Sequence, residues 1–260
     1  MKQTLETLVI FIALMMLNSC TSSSSLDWDV DVYTKIRKDG NDTLYALTAY
    51  AYSYQNIANV TLDVPAYTNE EDEYIQSKTL LMSKFVGQDK SWILPTNNGS
   101  YVKEFPVIGT YQFSATNVDD SSSGVKENTL GQSIVLPTEI YTIVYDAENN
   151  SYKLTWNWMT SAANYRAYVY KGDVMLSQSS LSRDPNGVIT LTDGKGYNNV
   201  EVNNGDAVMF EIVGNVYESA SSTRLQSQAS MTYNLNWGES YTSPSAPAAS
   251  SSAATTSSAR

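Results

Sequence analysis

The sequence predicts an all-β protein carrying two tandem β-sandwiches, and three observations lead there. Short runs alternate strictly with period two. In Asp27-Trp28-Asp29-Val30-Asp31-Val32 the acids fall on one face and the apolar residues on the other, as in a half-buried strand. Tyrosine, at 19 of 260 residues, is the dominant large side chain, and with Val, Thr and Ile it suits a pleated surface better than a helix. Turn-rich pieces such as Pro95-Thr96-Asn97-Asn98-Gly99 separate the runs, and no long 3.6-residue period intervenes.

At the start of the chain the apolar run Leu8-Val-Ile-Phe-Ile-Ala-Leu-Met-Met-Leu17 follows Lys2 and leads into Asn18-Ser19-Cys20. A run this short, ahead of small residues, reads as a secretory signal over residues 1–19 rather than a membrane span. Cys20 is the only cysteine, and with Thr21-Ser22-Ser23-Ser24-Ser25 it forms a flexible polar tether over 20–25.

Residues 26–136 make the first expected sandwich, with strands near 27–32, 44–54, 58–64, 101–105 and 109–116. Residues 137–237 make the second. There Ser151-Tyr152-Lys153-Leu154-Thr155-Trp156 alternates, Asn164-Tyr165-Arg166-Ala167-Tyr168-Val169-Tyr170 makes a strand, and Val208-Met209-Phe210-Glu211-Ile212-Val213 follows the turn Asn203-Asn204-Gly205-Asp206. Tyr111 and Phe113 in the first segment, and Trp156 and Phe210 in the second, are expected in the cores. Residues 238–260 form a tail that from Thr242 on holds only Ser, Thr, Ala and Pro before the final Arg. Such a composition lacks the apolar surface to offset ordering entropy, so the tail is expected to be disordered.

Three resemblances follow. Leu17-Asn18-Ser19-Cys20 resembles the lipobox of Bacteroidota-type bacterial lipoproteins, which implies lipidation of Cys20 and a membrane partner through the lipid anchor. Thr21 at the next position implies sorting to the outer membrane, with the cell surface and the periplasmic face both open. Leu47-Thr48-Ala49-Tyr50-Ala51 with Ile57-Ala58-Asn59-Val60-Thr61-Leu62 is similar to strands B and C of bacterial Ig-like domains. Gly109-Thr110-Tyr111-Gln112-Phe113 is similar to their strand F, with Tyr111 at the tyrosine corner. The second segment resembles a fibronectin type III domain, with Trp156 as the strand-B tryptophan and Phe210 where that family usually has tyrosine.

Composition excludes several functions. The formal net charge is −11, and removing residues 1–19 takes away one Lys and one Glu, so the mature chain keeps it. An acidic chain of this kind is not a nucleic-acid binder, since that affinity comes mostly from neutralised phosphates. The absence of histidine removes His-based triads, His zinc ligands and His general bases. No cofactor is expected, as no Gly-rich loop opens a helix. Carboxylates are then the remaining catalytic groups, and glycoside hydrolysis needs two facing each other. Asn69-Glu70-Glu71-Asp72-Glu73, Asp119-Asp120 and Asp146-Ala147-Glu148-Asn149-Asn150 read better as solvated loops and turns than as catalytic or calcium sites.

Two further sets of residues stand out. Asp42-Thr43-Leu44 matches the short O-glycosylation pattern of Bacteroidota, with Thr43 as the acceptor. If Leu47, Ala49 and Ala51 point inward, period two places Tyr50, Tyr52 and Tyr54 on the other face, and likewise Tyr168 and Tyr170 in the second segment. Exposed tyrosines stack on sugars or anchor protein partners; alternatively, neighbours cover them. Trp92, Trp158 and Trp237 are further aromatic candidates. The expected function is a non-enzymatic binding or spacer module of the cell envelope, whose partner is a glycan or another envelope protein. A glycan-binding component of a polysaccharide-uptake system is the alternative, and a carboxylate-dependent glycan hydrolase a second one.

Overall fold

The computed structural model describes residues 26–39, 41–69, 72–85, 90–94, 96, 98–118, 123–192 and 194–247. Cys20, with the expected signal and the whole tether, lies outside them, as do Glu70, Glu71, Asp119, Asp120 and the tail from residue 248. The described residues are all-β, with two single-turn 3-10 helices and no α-helix among them. The first ten strands are β1 (Trp28–Asp39), β2 (Asp42–Ser53), β3 (Ile57–Val64), β4 (Tyr67–Thr68), β5 (Tyr74–Ile75), β6 (Lys78–Leu81), β7 (Ser83–Lys84), β8 (Ser91–Leu94), β9 (Gly109–Asn117) and β10 (Ser123–Leu130). Then come β11 (Ile140–Asp146), β12 (Ser151–Trp156), β13 (Asn164–Lys171), β14 (Val174–Gln178), β15 (Asn186–Thr190), β16 (Ala207–Tyr217), β17 (Leu225–Asn236) and β18 (Tyr241–Thr242).

Contacts divide the chain into two compact units, each drawn from separate stretches. The first combines the chain up to Asp31 with Ala49–Pro95 and Gly109–Thr129, and the second combines Val32–Thr48, Thr96–Ile108 and everything from Leu130 on. The sequence suggested two contiguous blocks, 26–136 and 137–237. The difference arises because β1 and β2 each contribute residues to both units.

In the first unit a sheet of order β10-β9-β3-β6 carries Val60 and Leu62 of β3 and Tyr111, Phe113 and Ala115 of β9 into the core. Pairing of Val60 with Ala115 and Leu62 with Phe113 follows from antiparallel register, which sets same-face residues opposite one another. The last part of β2 pairs with β8, whose Trp92 is also buried. Trp28 and Val30 of β1 complete the core. Gly124 sits where a Cβ would come within 2.9 Å of the Trp28 indole nitrogen, so only glycine lets β10 pass.

The second unit packs a sheet of order β15-β12-β11-β18 with one in which β14-β13-β16-β17 is extended, beyond β17, by the later half of β1. That last pairing is parallel, matching Thr34–Arg37 with Ser227–Ser230. Trp156, Tyr152, Tyr165 and Phe210 fill the core edge-on, with Trp156 and Tyr165 ring centres 5.5 Å apart and Tyr152 and Phe210 4.7 Å apart. The four aromatics expected in the cores are all buried.

Two expectations are corrected. Tyr101–Phe105 is not a strand; it contributes one bridge, Tyr45 to Val102, while Phe105 packs edge-on to Tyr45 at 5.2 Å. The tail does not begin at residue 238. Trp237 is buried, Tyr241–Thr242 form β18 against β11, and Ser243 and Ser245 both donate to Glu139. Polar residues supply these contacts by hydrogen bonding, which a hydrophobicity argument does not register.

Candidate functional site

The outward face of the β13-β16-β17-β1 sheet in the second unit is built by alternation. Tyr165, Ala167 and Val169, Phe210 and Ile212, Ala229 and Met231, and Ile36 all point into the core. Their neighbours therefore point out. Strand register aligns these outward residues in rows: Asn164, Asn215, Gln228 and Lys35; Arg166, Val213, Ser230 and Arg37; Tyr168, Glu211 and Thr232; Tyr170, Met209 and Asn234.

The first row is an amide ladder. Asn215 Nδ2 donates to Asn164 Oδ1 at 2.9 Å, and Gln228 Nε2 donates to Asn215 Oδ1 at 3.0 Å. In the lower rows Tyr170 donates its hydroxyl to Glu211 Oε2 at 3.1 Å, and the Tyr168 and Tyr170 rings lie 6.2 Å apart at a 33° tilt. Burial pushes both phenols up, and Glu211 adds to the effect at Tyr170 while the Arg166 side chain opposes it at Tyr168. Both phenols are thus neutral hydrogen-bonding groups.

Tyr101 brings a third phenol to this region. The Arg37 guanidinium lies over its ring, 4.0 Å from the centre, a cation–π contact. Burial raises Tyr101 as well, with Arg37 opposing and Glu211 reinforcing. Lys35 is held below the usual lysine range by burial, partly countered by Glu211. Arg166 keeps a buried Nε with no hydrogen-bond acceptor. A groove of about 600 Å³ opens here, lined by Lys35, Arg37, Tyr101 and Glu211 and continuing past Thr232 to Tyr241. Chemically it offers three cations, neutral phenols, two carboxylates (Glu139 and Glu211) and hydroxyls, a set suited to holding a polar, anionic ligand.

Tyr50, Tyr52 and Tyr54 belong to the first unit. Tyr50 and Tyr52 share one face of β2, opposite the buried Ala49, Ala51 and Ser53, while Tyr54 lies just past the strand's end. Tyr50 is half-buried with its hydroxyl 2.9 Å from Ser91 Oγ, and Tyr54 is 65 % exposed. The Tyr52 and Tyr54 rings meet at 88°, so these two are edge-on rather than a flat platform. Leu47 is half-buried while Thr48 is buried: the alternation changes phase between Thr48 and Ala49.

Of the tryptophans, Trp92 and Trp237 are core residues, and only Trp158, 57 % exposed, remains at the surface. Thr43 lies half-buried in β2 beside Asp42, which pairs with Lys103 at 2.7 Å. Asp146-Ala147-Glu148-Asn149-Asn150 is a polar turn between β11 and β12. Asn149 Nδ2 donates to Asp146 Oδ2 at 3.0 Å, and this bond holds the Asp146 carboxyl below the usual range. Among the described residues no three acidic side chains gather closely enough to hold a metal ion.

No family model matches the chain, and no curated protein matches it. Among solved structures it is similar to a Ruminococcus gnavus beta-glucuronidase, at 10 % identity and a TM-score of 0.27, over 72 % of this chain. The match spans about a third of that protein, 34 % of its length.

Sequence reasoning found Tyr168 and Tyr170 but missed Lys35, Arg37, Tyr101 and Glu211. Glu211 carried a readable sign, as the one charge inside the apolar run Val208–Val213. Lys35 and Arg37 reach the site through pairings between residues nearly two hundred positions apart, such as Arg37 with Ser230, and Tyr101 through its contact with Arg37.

Proposed function

We propose that this chain is an exported, lipid-anchored binding module of the cell envelope, made of an Ig-like and a fibronectin type III-like sandwich and catalysing no reaction. The observation that carries the reading is the outward sheet face of the second unit, where Tyr168 and Tyr170 lie side by side and Tyr170 is tied to Glu211. Half-buried phenols held in fixed positions on a rigid sheet lose little freedom on binding, which favours recognition. The strand orders β15-β12-β11 and β14-β13-β16-β17 support the fibronectin type III-like reading, because they match that fold's two sheets. The anchor rests on the apolar run ending at Cys20.

A partner protein is the first reading of the ligand. The small tilt between the Tyr168 and Tyr170 rings favours a second, stacking on a glycan. The test is a double Tyr168→Ser, Tyr170→Ser variant, checked for an unchanged melting profile. It is then compared with the parent in a surface pull-down and on a glycan array. Loss of binding in either assay supports the site, and unchanged binding in both removes it. For the anchor, Cys20→Ala is expected to move the protein from the detergent-rich to the aqueous phase on partitioning; equal partitioning of the two proteins contradicts it.

A further inference from the structure

We propose that the groove beside β17 receives an extended, acidic peptide of a partner protein, which adds to the sheet as a strand along the free edge of Met231–Asn236. This rests on the reading of the chain as a binding module and names the partner's chemistry. The groove is lined by Ser230, Met231, Thr232 and Tyr233, four residues in succession. Alternate residues of a strand point to opposite faces, so a groove touching four in a row runs along the strand's edge and not over one face.

That edge is open. β1 covers β17 only over Ser227–Ser230, whereas β16 pairs with it along its whole length. Among the described residues, Met231–Asn236 have β16 on one side and no strand on the other. Six residues at about 3.3 Å each give a free edge of about 20 Å, enough for one short added strand. Unpaired backbone groups on such an edge are a template for another chain, and no proline interrupts it.

Charge selects the occupant. In a chain of net charge −11, Lys35, Arg37 and Lys38 place three cations along the same groove within four positions. Two carboxylates, Glu139 and Glu211, also line it and keep their charge while accepting hydroxyl hydrogen bonds, so three cations face two anions. The surplus is positive, and it suits acidic side chains at alternate positions of an incoming strand, pointing to the cationic wall. Thr232 and Asn234, both exposed, offer polar neighbours for it.

The test uses the full chain in detergent as bait for a displayed random-peptide library at low salt. Selected peptides are resynthesised with and without N-methylation at alternate residues. Enrichment of acidic, proline-poor peptides whose binding is abolished by N-methylation supports strand addition, since methylation removes backbone donors and leaves the side chains. Lys38→Glu, at an exposed position, is expected to weaken binding by about tenfold at low salt, with the difference shrinking as salt rises. No enrichment over an unrelated bait, or binding indifferent to N-methylation, overturns the proposal. Binding of polygalacturonate fragments in place of peptides, with the same Lys38 dependence, overturns it in favour of an acidic glycan. The Tyr168→Ser, Tyr170→Ser variant keeps the outcomes separate: if it loses a pull-down partner while no peptide is enriched, the module reading stands and strand addition falls.

Discussion

The buried hydroxyl of Tyr152 accepts a hydrogen bond from the backbone N–H of Gly238 at 2.7 Å. Gly238 sits at φ +95°, and a Cβ there would collide with Asn204 Oδ1, so the tight turn out of β17 needs glycine. The turn sends the chain on to β18. Tyr152→Phe is expected to cost about 1 kcal/mol, the usual net value of one hydrogen bond. Gly238→Ala should cost more, roughly 1–3 kcal/mol, through strain at a positive φ. Denaturant midpoints at unchanged slope measure both. A Tyr152→Phe protein with the parent's midpoint would contradict the assignment.

Trp156→Ala removes the largest fully buried side chain of the second unit, from its edge-on contact with Tyr165. The expected loss is about 3–5 kcal/mol. Calorimetry of the full chain should show one transition moved far down or lost, and an unmoved thermogram would remove Trp156 from the core.

Alkaline sensitivity follows from the same core. Burial raises the Tyr152 phenol to about 12, against about 10 in an unfolded chain. Its folded pKa lies above the unfolded one, so the contribution is fully present below about pH 10 and is lost as pH rises through about 12. Stability should fall steeply across that window, and Tyr152→Phe should flatten the fall. Identical alkaline profiles for the two proteins would refute the linkage.

Lys35 carries the opposite sign. Burial depresses it, so in the folded state the charged amine carries a desolvation cost that Glu211 only partly offsets. Stability tied to this group is present above the unfolded pKa of about 10.4 and is lost as pH falls through the depressed folded value. Lys35→Met should therefore stabilise the protein at neutral pH, by up to about 1 kcal/mol, with less gain as pH approaches 10. A destabilised Lys35→Met variant at pH 7 would show that pairing with Glu211 outweighs desolvation.

On β2, Tyr50→Phe should cost about 1 kcal/mol through the lost Ser91 contact, whereas Tyr54→Ser, at the exposed position just past the strand, should stay within about 0.5 kcal/mol of the parent. Urea melts that rank the two the other way would reassign the supporting ring to Tyr54.

Local pattern made the strands legible where one face is buried and the other wet. The run 151–156 became β12, 164–171 became β13, and 109–116 became β9 nearly as read. What stayed hidden depends on partners far along the chain. Ile36 and Val135, both upstream of the expected second block, are wholly buried in its core. The phase change at Thr48 in β2 falls where that strand passes from one unit's stretch to the other's, and a period-two reading carried straight through it. The tyrosines of the site were visible as outward positions of β13. Arg37 and Lys35 were not, because a parallel pairing leaves no hairpin signal in the sequence.

The amide ladder Asn164–Asn215–Gln228 has a consequence for assembly. Sliding β16 by one residue against β13 would set Gly214 or Val216 opposite Asn164, and neither has an amide to offer. The same slip would turn Phe210 and Ile212 to water and draw Glu211 inward. Three amides thus act as a keyway: they admit one alignment of three strands and reject its nearest neighbours. A sheet that presents its tyrosines at fixed spacing needs that kind of indexing, because every row below the ladder inherits its position from it.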